Sequence, residues 1–297
     1  MSSNKSLYNG VMLGVSKRFL SRMQLVIKSL SNNSNLVSES GRGDARIKKI
    51  VATSISSGVS KFISFILIVV TVRWGLNYLG DERYGLWMTI TAMITLMSLT
   101  DFGINNSLIN TTSNASGRND TLAIRKAIAN AFVGLLFISL TLVIISLSVL
   151  QKLDWGNIFN LKDQVAIQEA GSSVVAFTMI FAFMLPATIF QKVLIGLQKG
   201  WLGNIWTIFG QTISIYFLWI AVNYQVGLPT LILSVTLPPL IANILGTVLF
   251  FGFNPRLLPK FKDVTRRGIE QLFSAGGLFF IIQIMALLGS ASDNLII

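Results

Sequence analysis

Seven polar residues stand inside or at the ends of otherwise apolar runs, and they carry whatever chemistry this sequence has. They are Lys61, Arg73, Asp101, Asn105, Gln211, Gln283 and Asp293. The set can bind, but it is not equipped to cleave. The chain has no Cys and no His. That removes thiol and imidazole nucleophiles, zinc sites, haem ligation and disulfides together. There is no Ser/His/Asp set, no Walker A loop and no dinucleotide glycine fingerprint, so neither an enzyme nor a cofactor is expected. Asp101 interrupts the run Leu99-Thr100-Asp101-Phe102-Gly103. A carboxylate late in a membrane helix costs about 2.5–3.5 kcal/mol on insertion scales, so Asp101 is expected to face a cavity or another helix. Topology, interfacial anchoring or helix packing would place each of the seven equally well, and the sequence leaves both roles open. Trp74, Trp87, Trp155 and Trp201 read as residues of the interfacial belt.

The elements that must hold these residues are membrane helices. Hydrophobic residues make up 52% of the chain and charged residues 12%, with a mean hydropathy of +0.66. A soluble domain carries about 25% charged residues. Here the charges sit in gaps between apolar runs, which is the membrane pattern. The net charge of +12 needs no nucleic acid to explain it, because basic residues flank membrane helices for topological reasons.

The expected fold is an all-α integral membrane protein with about seven complete transmembrane helices and the start of an eighth. Residues 1–49 form a basic tail that holds Glu39 and Asp44 as its only acids. Its apolar positions Val11, Val15, Phe19, Met23 and Leu30 suit an amphipathic helix on an anionic leaflet or a tail with some helix propensity. Helices are expected over residues 50–76, 84–108, 127–150, 170–190, 204–222, 228–251 and 269–288. Gly80-Asp81-Glu82-Arg83 is the turn between the first two, and Thr121 is expected to cap the third. Pro186 should kink helix four, and Pro238-Pro239 should bend or break helix six. Residues 50–251 make a six-helix bundle, 252–268 a basic loop, and 269–297 the start of a second bundle. The few residues after Asp293 cannot cross a hydrocarbon core that needs about 20 residues, so a truncated product or partial chain is expected. With the N-terminus inside, nineteen of the 24 Lys and Arg residues lie in inner segments and four in outer ones. The positive-inside rule therefore gives a cytoplasmic N-terminus.

Two stretches carry a family resemblance: YLGDERYGLW from Tyr78 and LTDFGINNSLIN from Leu99. Softer matches follow in order, namely VLIGLQKGWLGN from Val193, FNPRLLPKF from Phe253 and SDNLII from Ser292. The chain resembles the bacterial polysaccharide and O-antigen flippases, exporters of lipid-linked oligosaccharide within the multidrug/oligosaccharidyl-lipid/polysaccharide superfamily. The resemblance implies two similar halves in a protein of twelve or fourteen helices, with this chain supplying the first half and one further helix. It implies alternating access in the bacterial inner membrane and a substrate linked to undecaprenyl diphosphate. It also admits a coupling ion (H+ or Na+), surrounding lipids and other polysaccharide-assembly proteins as partners. On that basis Lys61 and Arg73 would offset desolvation of the diphosphate. Asp101 and Asp293 would hold those cations or a coupling ion, and Asn105, Gln211 and Gln283 would bond sugar hydroxyls. Lys61 and Arg73 lie about 18 Å apart along the helix axis, as an inner and an outer station would. Three rivals remain: a multidrug exporter, which would want an acidic cavity; a membrane glycosyltransferase or O-antigen polymerase, which would want a large outer loop; and a non-transporting structural partner.

Overall fold

The computed structural model describes residues 39–293. The amphipathic stretch expected within residues 1–38 and the last four residues lie outside the described ones. The first helix, α1 (Glu39–Met97), has 59 residues and as one rod would reach about 88 Å, far beyond a bilayer core. It is not one rod. Gly80 has φ 72 and ψ 178, a conformation that suits a residue with no Cβ. The chain folds back there, and the rings of Tyr84 and Trp87 come to 3.4 Å from the position a Cβ on Gly75 would occupy. The two arms are the first two expected helices.

The remaining helices are α2 (Ile104–Gly117), α3 (Thr121–Ser148), the short α4 (Trp155–Ile158), α5 (Gln164–Ala187), α6 (Ile189–Gly196), α7 (Gly200–Asn223), α8 (Leu228–Phe253) and α9 (Arg266–Asp293). Among the described residues six stretches are long and apolar enough to cross a membrane, and the first of them, Ile47–Met93, is the one folded at Gly80. That makes seven crossings and a multi-pass membrane protein. Its outward face is apolar: Phe65, Ile144, Val248 and Leu278 are more than 60% exposed. Such a face suits lipid rather than water.

Two large apolar clusters, one toward each end, and a small third one of Ile180, Ala187 and Leu240 hold the bundle. Leu79, Leu86, Trp87, Ile90, Trp155 and Leu228 pack near the Gly80 turn. Ile104, Ile128, Leu135, Ile189 and Leu257 pack toward the basic loops. Trp87 and Trp155 are therefore core residues and not belt residues. Trp155 satisfies its indole N–H on the Leu150 carbonyl at 2.7 Å, which lets the ring be buried. At the Gly80 end, Glu82 accepts from the backbone N–H groups of Lys162 and Asp163. Arg83 pairs with Glu169 at 2.8 Å. The polar turn thus fastens the hairpin to the start of α5.

Four expectations change. Helix two does not run to residue 108: it ends at Met97, and a 3-10 turn over Ser98–Asp101 precedes α2. The cap of α3 is Asp120, whose side chain accepts from the Ala123 N–H, and Thr121 is the first helical residue. Residues 291–293 belong to α9, and the rest of the run expected to open an eighth helix lies outside the described residues. Finally, of the bend or break expected at Pro238-Pro239 the break does not occur: α8 runs on through both. Pro239 lacks the N–H that would bond the Val235 carbonyl. Ser214 of α7 donates to that carbonyl at 2.7 Å instead. Gly210 lets α7 come this close, since a Cβ there would stand 2.8 Å from Pro239 Cα. Ser214→Ala should therefore lower stability by about 1 kcal/mol, read as a depressed unfolding midpoint in detergent.

At the basic end a bidentate pair ties α3 to the loop before α9. Arg125 Nε and Nη2 donate to Asp263 at 2.7 and 3.0 Å. The hydrogen bond and charge of Arg125 hold the Asp263 carboxyl below the usual carboxylate range. A carboxylate depressed in the folded state stabilises above its unfolded pKa of about 3.9, and that contribution fades as pH falls through the lower folded value. Acid unfolding followed below about pH 4 should lose this contribution in the parent. Arg125→Gln should unfold more easily already at neutral pH and show a flatter acid limb.

Candidate functional site

The candidate site forms where helix two gives way. Phe102 and Gly103 both take left-handed φ values, 47 and 72, so the helical ladder stops there. The Gly103 N–H donates to Asp101 Oδ1 at 3.0 Å, a local turn of the kind short acidic side chains favour. On the other side the break meets α9. A Cβ on Gly103 would run into the Gly276 carbonyl, and one on Gly276 would lie 2.7 Å from the Phe102 carbonyl oxygen. Two glycines allow backbone to rest on backbone at this crossing.

The break opens a cavity of about 550 Å³ between the 3-10 turn Ser98–Asp101, α2, α5, α6 and α9. Its polar lining is Asp101, Asn105, Asn106, Thr188, Lys192 and Gln283. Asp101 is 5% exposed and Asn105 8%, so the carboxylate faces protein and cavity, as a membrane carboxylate should. The Asn105 Oδ1 and Gln283 Oε1 oxygens are buried without a hydrogen-bond partner. An acceptor left unpaired costs about 1–3 kcal/mol, so both oxygens are available to a donor that enters the cavity. The cavity carries one carboxylate and one ammonium, and neither stands in a salt bridge among the described residues.

The structure brings together three of the seven sequence candidates: Asp101, Asn105 and Gln283. It does not bring the others. Gln211 donates to Ser64 Oγ at 2.7 Å, which makes it a link between α1 and α7. Lys61 and Arg73 are exposed on the first arm of α1 and line neither this cavity nor the other three described. Asp293 ends α9, and its side-chain surroundings lie outside the described residues. Sequence reasoning missed Lys192 by placing it in an inner loop beyond Pro186. The helix in fact resumes after Thr188, and the crossing stretch runs over Gln164–Gly196. Phe181, Leu185, Thr188 and Lys192 follow helical spacing, and that stripe is the signal that finds the lysine.

This architecture is the fold of membrane transporters of the multidrug/oligosaccharidyl-lipid/polysaccharide superfamily. A superfamily transporter from Pyrococcus furiosus matches with TM-score 0.65 at 14% identity, covering 80% of this chain and 52% of that one. An outward-facing multidrug resistance MATE family transporter matches with TM-score 0.68 at 12% identity, covering 81% and 54%. At these identities the likeness is one of fold. Residues 47–297 match the polysaccharide biosynthesis protein family, and the chain belongs to it. A putative O-antigen transporter of Salmonella typhi is 28% identical over 162 residues, which is 54% of this chain and 36% of the relative. The chain thus spans about half the length of the solved transporters and 36% of that relative.

Proposed function

We propose that this protein takes part in moving a lipid-linked oligosaccharide across the bacterial plasma membrane by alternating access, with the sugar-phosphate headgroup passing through the Asp101–Lys192 cavity. The observation that carries the reading is the pair of buried acceptors, Asn105 Oδ1 and Gln283 Oε1, that have no partner among the described residues, in a polar cavity of an otherwise apolar bundle. Sugar hydroxyls are donors and would complete them. The Lys192 ammonium is placed to meet a diphosphate, as a point charge rather than a fork. Asp101 would balance that ammonium, or hold a coupling H+ or Na+, between loads. Family membership and the O-antigen relative support the same direction.

The orientation goes with this reading. The loops at the Arg125–Asp263 end would face the cytoplasm and the Gly80 end the periplasm, as the basic-residue asymmetry requires. Deleting the chromosomal gene should remove the surface polysaccharide and leave its undecaprenyl-linked precursor accumulated in the membrane. The drug-exporter alternative predicts intact polysaccharide and sensitivity to cationic drugs. A cell with both traits normal would overturn both readings.

A further inference from the structure

On the far side of α2 from the Asp101 cavity lies a second pocket of about 510 Å³, enclosed by α2, α3 and the first turns of α9. Its lining includes Lys126, Arg267, Gln271, Ser107 and Thr111, with no carboxylate. The nearby acids are engaged elsewhere: Asp263 is held by Arg125 at 2.7 Å, and Glu270 by Arg266 at 2.9 Å. Neither Lys126 nor Arg267 is in a salt bridge among the described residues. The back wall is fixed. Asn130 is 5% exposed; its Oδ1 accepts the Thr265 N–H at 2.9 Å and its amide donates to the Lys126 carbonyl at 2.8 Å. A Cβ on Gly268 would collide with that amide, so α9 starts hard against α3.

Depth points to the class of ligand. Lys126 stands five residues after Thr121 in the 32-residue apolar stretch Thr121–Lys152, and Arg267 is the second residue of the stretch Arg266–Ala286. A helix of 32 residues is about 48 Å long and outreaches the hydrocarbon core of about 30 Å at both ends. Five residues are about 7.5 Å of helix, so both cations sit near the level where the phosphates of a leaflet lie. Basic pockets between membrane helices at that level suit anionic headgroups, and the hydroxyl and amide groups beside them suit phosphate oxygens.

We propose that the Lys126–Arg267 pocket binds the phosphate of a net-anionic lipid headgroup, and that the bound headgroup bridges α3 and α9. The proposal rests on the membrane fold and does not need the substrate reading above. Two lipids offer this chemistry, an anionic phospholipid and a polyprenyl diphosphate.

The test is native mass spectrometry of the purified full-length protein in detergent, titrated with phosphatidylglycerol, phosphatidylcholine or undecaprenyl diphosphate. Phosphatidylglycerol should be retained in preference to phosphatidylcholine. The double substitution K126Q/R267Q should lose about 30-fold in that binding, roughly fivefold for each charge. K126R should keep it. Both side chains are exposed, so the unfolding midpoint in lipid-free detergent should be unchanged, and added phosphatidylglycerol should raise it for the parent alone. Displacement of phosphatidylglycerol by an equal amount of undecaprenyl diphosphate assigns the pocket to the diphosphate, and no displacement assigns it to phospholipid. Either result keeps the headgroup site. Equal retention of phosphatidylglycerol and phosphatidylcholine, or full retention by K126Q/R267Q, overturns it. A polysaccharide phenotype, present or absent, bears on the substrate reading alone.

Discussion

Gly103→Ala should leave little folded protein. Two independent terms act at this position. The residue has φ 72, where a Cβ costs about 1–2 kcal/mol. The same Cβ would be driven into the Gly276 carbonyl, and overpacking of this kind costs about 1–3 kcal/mol more. The neighbour cannot give cheaply, because it is backbone of α9 and not the end of a flexible side chain. A loss of about 2–5 kcal/mol is a large share of the 5–15 kcal/mol that holds a typical protein folded. Detergent-extracted Gly103→Ala should unfold well below the parent or fail to accumulate. Gly85→Ala is the matched control: it places a Cβ in open space with ordinary helical φ and should be neutral or better. A parent-like midpoint for Gly103→Ala would mean that α9 does not rest on the break.

Exchanging the cavity cation should have the largest effect on export. Charge-assisted hydrogen bonds contribute about 1.5–3 kcal/mol, so removing the ammonium in Lys192→Gln should slow polysaccharide export about 10- to 100-fold at equal protein level. Lys192→Glu should be worse, because it replaces the cavity's one cation with a second carboxylate beside Asp101. Lys192→Arg should retain much of the activity if only charge is required. The chromosomal substitutions should be scored by surface polysaccharide and by accumulated undecaprenyl-linked precursor. Arg73→Ala, on the exposed first arm, separates the inner cavity from the alternative of a cationic wall on helix one. If Arg73→Ala abolishes export while Lys192→Gln leaves it whole, the substrate path runs along helix one.

Much of the fold was legible because lipid imposes a simple rule. Apolar runs of about 20 residues had to be helices, and the polar gaps between them had to be turns or loops. Gly80-Asp81-Glu82-Arg83 is the clearest case, since its charges leave no room for a membrane segment. The candidate site was legible only in part. Asp101 and Asn105 stood out because polar side chains in apolar runs are expensive. The break that exposes them did not, because Ile104 and Leu108 continue the apolar pattern. What ends the helix is a left-handed turn supported by Gly276, more than 170 residues further along the chain. Lys192 was hidden by Pro186, which reads as a helix end in the sequence, whereas α5 runs past it to Ala187 and α6 resumes after Thr188. Trp87 and Trp155 carried the ordinary signature of belt residues, and only their burial partners assign them to the core.

The account stands most directly on whether the Asp101 cavity is a wet, substrate-sized space. The 297 residues contain no Cys, so a thiol introduced at Asn106 provides a clean probe. Asn106 lines the cavity and is half-buried. In membrane vesicles, Asn106→Cys should react with a charged, water-soluble maleimide, and added undecaprenyl-diphosphate oligosaccharide should slow that reaction. Phe137→Cys, on the apolar outward face at 71% exposure, should stay unlabelled. An Asn106→Cys that is as inert as Phe137→Cys, or that labels at the same rate with and without the oligosaccharide, would contradict the headgroup path.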